Sequence, residues 1–183
     1  MNNSKNEICA LAAKLIVEEG FNYFSAKNQA ADQLSLGGRN YKKTKLPSNQ
    51  DIDGAVKEYL DIFYKEECAE RLASLKKIGF SIMSELEEFN PLLIGSISSG
   101  FATKFSTIKI CCFCESSKEL IIALMERNIT CRSIELKHPT RNYLVEAINL
   151  IWSGEEVYLY VLSRNEPRNV SKGLNLKKLS LAL

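Results

Sequence analysis

Asn90-Pro91 separates two kinds of periodicity in this chain. Before it, apolar residues recur at three- and four-residue intervals. After it they come in short β-branched runs between turn residues. That order constrains the chain to a helical segment followed by a sheet. The expected class is α+β: a helical segment over 1–90, a mixed sheet flanked by helices over 91–166, and a tail over 167–183 that packs back on the domain.

Ile8, Leu11, Ala12, Leu15 and Ile16 form one helical stripe, ended by Gly20. Ser25 is the expected N-cap of a second helix through Leu34, stopped at Gly37-Gly38. Pro47 and Ser48 open a third helix, with Asp51 placed for a capping box and Val56, Tyr59, Leu60 and Phe63 as its apolar face. A fourth runs from about Ala69 to Glu87, with Leu72, Leu75, Ile82 and Leu86 inward. Strands are expected over 92–94, 107–114, 130–136, 143–151 and 157–162, the last two joined by a tight turn at Ser153-Gly154. Ser116 to Glu119 reads as a capping box opening a helix with Leu120, Ile121, Leu124 and Met125 inward.

The net charge of +2 argues neither for nor against nucleic acid. No apolar run is long enough to span a bilayer, and the N-terminal residues lack the pattern of a secretory signal, so no membrane is expected and a cytoplasmic location is. The six cysteines are read as reduced and mostly buried. Cys-Cys-x-Cys at 111–114 is not a zinc spacing, and His138 is the only histidine. The basic run from Arg39 to Lys45 is a solvated linker on the plainer reading and a phosphate or RNA contact on the sharper one.

The most informative stretch is Leu93-Ile94-Gly95-Ser96-Ile97-Ser98-Ser99-Gly100-Phe101-Ala102-Thr103-Lys104-Phe105-Ser106-Thr107-Ile108-Lys109-Ile110. It resembles the signature of the DNA polymerase β-like nucleotidyltransferase superfamily: a strand ending in Gly-Ser, a short helix with a second Gly, then Ser-Asp-x-Asp opening the next strand. Gly95, Ser96, Gly100 and Ser106 fall at matching spacings. The chain also resembles a group of bacterial proteins in which a helical N-terminal half precedes this segment. The resemblance implies a nucleotidyltransferase-like sheet and a nucleotide site at Gly95, Ser96, Gly100, Ser106, Thr107 and Lys109. Glycine admits a phosphate close to the backbone, and serine adds a hydroxyl donor.

The family's two metal-holding aspartates align with Thr107 and Lys109. A hydroxyl and an ammonium group are poor Mg²⁺ ligands. The resulting expectation is a module that has lost catalysis, uses no cofactor, and binds a nucleotide at the Gly-Ser turn or a protein on the helical half. The alternatives are an active nucleotidyltransferase using Mg²⁺ and displaced acids such as Glu115, Glu155 or Glu156, which would move a nucleoside monophosphate to protein, RNA or a small molecule, and a structural subunit of a complex. Lys109 is expected to pair with Glu155 or Glu156 on the sheet surface in preference to a phosphate.

Overall fold

The computed structural model describes residues 2–36, 46–166 and 173–183. The run from Arg39 to Lys45 lies outside the described residues, as do Gly37 and Gly38. The protein is α+β, with helices in its N-terminal half and a five-stranded mixed sheet after them. The chain divides into two compact units, one of Met1–Ala69 with Thr103–Phe105 and one of Glu70–Ala102 with Ser106–Leu183.

The first unit holds α1 (Asn2–Glu19), α2 (Tyr23–Leu36), α3 (Asn49–Phe63) and the first residues of α4 (Lys65–Glu85). α1 packs on both α2 and α3, burying Ile8, Ala12, Leu15, Ala30, Ile52 and Val56. The expected capping box forms: Ser48 Oγ accepts from Asp51 N–H at 3.2 Å, and Asp51 Oδ2 accepts from Ser48 N–H at 2.7 Å. The second helix starts earlier than expected, because the Asn22 side chain, not Ser25, supplies its first-turn acceptor (Ser25 N–H to Asn22 Oδ1, 2.9 Å). Phe63, expected inward, is exposed at the last position of α3. Glu18 accepts from the Tyr59 and Tyr64 hydroxyls at 3.1 and 2.7 Å, which holds its carboxyl below the usual range.

The second unit is built on β1 (Leu92–Ile94), β2 (Ile108–Phe113), β3 (Cys131–Lys137), β4 (Leu144–Trp152) and β5 (Glu155–Leu162), in the spatial order β1-β2-β5-β4-β3. β2 and β5 are parallel and every other pair is antiparallel. α5 (Ser117–Glu126) follows β2, and α6 (Leu176–Ser180) ends the chain. Ser153 (φ 51°) and Gly154 (φ 82°) form the two-residue β4–β5 turn, both left-handed as a type I′ turn requires.

Strand alternation sorts the sheet into two faces. Leu93, Ile110, Cys112, Ile148, Val157 and Leu159 lie on one, packed with Leu75, Ile82 and Met83 of α4, Leu120 and Leu124 of α5 and Leu179 of α6. Leu92, Ile94, Cys111, Phe113, Tyr160 and Leu162 cluster on the other. Every buried α4, α5 and α6 leucine therefore serves the first face. Met125, expected inward, is exposed on α5. The Ser116 cap is also half formed: its side chain makes no cap bond, while Glu119 accepts from Glu115 N–H and Glu146 from Ser117 N–H, each at 3.2 Å. All six thiols are unbridged, and burial pushes Cys111 up to about 12 and Cys114 up to about 11, so neither is a thiolate at neutral pH. No helix among the described residues is long and apolar enough to cross a membrane.

The β3–β4 loop is closed by His138, which is buried. Its Nδ1 accepts from the N–H groups of Thr140 (3.1 Å) and Arg141 (3.0 Å), so the ring proton sits on Nε2. Nε2 lies 3.7 Å from Glu166 Oε1, which Arg141 holds at 2.8 Å, and finds no hydrogen-bond partner among the described residues. Burial depresses the His138 pKa, against Glu166, which raises it. Protonation would add a hydrogen to the nitrogen that accepts both backbone donors. The unfolded chain takes up that proton near pH 6.5, so the stabilisation is full above about pH 6.5 and declines as pH falls toward the depressed folded value. Because this is the only histidine, denaturant midpoints are expected to fall between pH 7 and pH 5. His138→Asn, which keeps an acceptor for the loop, is expected to flatten that dependence. An unchanged slope in the variant would place the titrating group elsewhere.

Candidate functional site

The segment after β1 turns sharply. Gly95 sits at φ +83° and Gly100 at φ +88°, backbone that β-carbon-bearing residues rarely adopt. Between them the chain makes a series of turns in place of the expected short helix. Ser99 N–H donates to the Gly95 carbonyl at 3.0 Å, Gly100 N–H to Ile97 at 3.1 Å and Phe101 N–H to Ser96 at 3.1 Å. The hydroxyls of Ser96 and Ser106 meet at 3.2 Å, joining the turn to the run into β2. Thr107 lies one residue before β2, and its hydroxyl makes no hydrogen bond among the described residues.

Lys109, the second residue of β2, pairs with Ile94 across the β1–β2 ladder. Its aliphatic stem runs beneath the turn: a β-carbon on Gly95 would stand 3.7 Å from Lys109 Cδ. Of the six residues singled out in the sequence, the structure thus joins Ser96 to Ser106 and Gly95 to Lys109, while Gly100 closes the turn. The expected pairing of Lys109 with a hairpin acid does not occur. Glu155 is held by Arg71 of α4 through two bonds, one of them Nη2 to Oε2 at 2.7 Å, and Glu156 accepts from Asn149 Nδ2 at 3.1 Å. Both acids lie within β5, which was expected to begin only at residue 157. Lys109 makes no ion pair among the described residues, and burial lowers its pKa.

Strand register adds residues that the sequence did not single out. Ile94, Lys109, Tyr158, Asn149 and Arg132 stand directly opposite one another across all five strands. Four of the five are polar, and on the same face the row on one side, Leu92, Cys111, Tyr160 and Ala147, is apolar while the row on the other side holds Glu156. Asn149 is buried and engaged at both ends: its Oδ1 accepts from Arg132 Nη2 at 3.1 Å and its Nδ2 donates to Glu156. Burial first, and the Glu156 carboxylate second, push the Tyr158 phenol up.

The donor set does not suit Mg²⁺. The two matched positions offer a neutral hydroxyl and a cation, and Glu156 already accepts from Asn149. Among the described residues no three His, Cys, Asp or Glu side chains converge as metal ligands. A buried lysine whose stem lies beside a glycine turn is instead chemistry for an anion. Comparison with family models, with curated proteins and with solved structures finds no match to this chain.

Proposed function

We propose that this chain is a non-catalytic binding module on a nucleotidyltransferase-like sheet, taking a phosphate-bearing ligand of the nucleotide class at the Gly95-Ser96 turn. The observation that carries the reading is Lys109: a largely desolvated ammonium with no carboxylate partner among the described residues, its stem set under the left-handed Gly95 turn. A desolvated cation is costly unless an anion meets it. A phosphate there would accept from Lys109, with the Ser96 hydroxyl, hydrogen-bonded to Ser106, at the start of the same turn.

Binding through an ammonium and hydroxyls needs no divalent ion. Calorimetric titration of inorganic pyrophosphate and of nucleoside diphosphates is therefore expected to give the same affinity in EDTA as in Mg²⁺, weakening as salt rises. Affinity that vanishes in EDTA, with turnover of a nucleoside triphosphate, would reverse the reading in favour of an active nucleotidyltransferase. A protein partner on the helical unit is a second reading, and it draws on the exposed Phe24 of α2 and Ile62 and Phe63 of α3.

A further inference from the structure

We infer that the polar row continuing from Lys109 across the sheet is the base-recognition half of the same site, and that the base it selects is guanine. This rests on the anion-binding reading of the Gly95 turn and adds the identity of the ligand's other end.

The row has a direction. Lys109 stands beside the turn, Tyr158 is its neighbour on β5, Asn149 follows on β4 and Arg132 on β3. Strands lie about 4.8 Å apart, so Lys109 and Arg132 bracket about 14 Å, the scale of an extended nucleotide. Tyr158, half-buried between them, offers a ring face for a sugar or base.

The far end carries both signs. Asn149 donates to Glu156 and accepts from Arg132, so one buried amide fixes a carboxylate and a guanidinium side by side. Glu156 accepts from Asn149 and from the Tyr158 hydroxyl, and neither it nor Arg132 makes an ion pair with another described residue, so a ligand would use the carboxylate's remaining lone pairs and the remaining guanidinium donors. Arg132 is exposed and, with Asn149, lines an open cavity at this end of β3 and β4. Guanine matches that pair: N1–H and the N2 amine donate together to a carboxylate, and O6 and N7 accept from arginine. Adenine lacks the paired donors, and the pyrimidines lack the N7 acceptor.

Titration of the full chain with GDP, IDP, ADP, CDP and pyrophosphate tests this. GDP is expected to bind at least about tenfold more tightly than ADP or CDP, the effect of one or two hydrogen bonds to a charged group. IDP, which lacks only the N2 amine, is expected to fall about tenfold below GDP. That comparison uses the unaltered protein and does not depend on a variant folding. Glu156→Gln is expected to remove the preference for GDP and to leave pyrophosphate binding unchanged. Equal affinity for all four nucleotides, with pyrophosphate still bound, would overturn the guanine assignment and keep the anion site. A guanine preference that survives Glu156→Gln would overturn the role given to Glu156. Failure of pyrophosphate and of every nucleotide to bind would overturn both.

Discussion

Lys109→Met is expected to weaken pyrophosphate and nucleotide binding by at least about 100-fold, in line with removing one member of a desolvated charge pair. The same change is expected to stabilise the unliganded protein by about 1–2 kcal/mol. Methionine keeps most of the aliphatic stem that runs beneath Gly95 and discards an ammonium that has no ion pair among the described residues. Opposite signs for binding and stability are what distinguish a residue kept for a ligand from one kept for the fold. Calorimetry and thermal melts on the two proteins read both. A lower melting temperature in the variant would show that the fold itself uses the charge.

The largest stability loss is expected at the helix-covered face of the sheet. Leu159 is fully buried at the centre of β5, flanked by Ile110 on β2 and Ile148 on β4. Leu159→Ala is expected to cost about 2–5 kcal/mol, lost transfer energy plus an unfilled cavity. A domain of this kind has about 5–15 kcal/mol in total. Ile151→Ala on β4, at a residue 62% exposed, is expected to stay within about 0.5 kcal/mol. Urea denaturation of the two variants checks the assignment. Similar losses would mean that the two faces are not buried as described.

The elements legible in the sequence were those specified locally. The Ser48–Asp51 capping box reads directly because both partners lie within one turn. The Ser153-Gly154 hairpin reads because two left-handed residues between strands leave few alternatives. Ser25 misled because Asn22 is an equally good cap three residues earlier, and the sequence does not say which one the chain uses. Met125 and Phe63 misled because helical periodicity marks an apolar stripe without showing where its edge meets solvent. Lys109 was expected to find an acid on the hairpin. Arg71, 84 residues before Glu155 in the chain, reaches it instead, and no local pattern carries that distance. The row from Lys109 to Arg132 was illegible for the same reason. Each residue is unremarkable in its own strand, and the row exists only in the register of five strands.

β1 has three residues, with β2 along one edge and a single bridge to Leu174 on the other. Its amide hydrogens are protected by few bonds, while its three side chains are all buried. The Gly95-Ser96 turn is continuous with it. A ligand that requires the turn closed against Lys109 then draws down the population of opened β1 by mass action. For such a ligand, occupancy and fraying of the sheet's edge would be two readouts of one equilibrium.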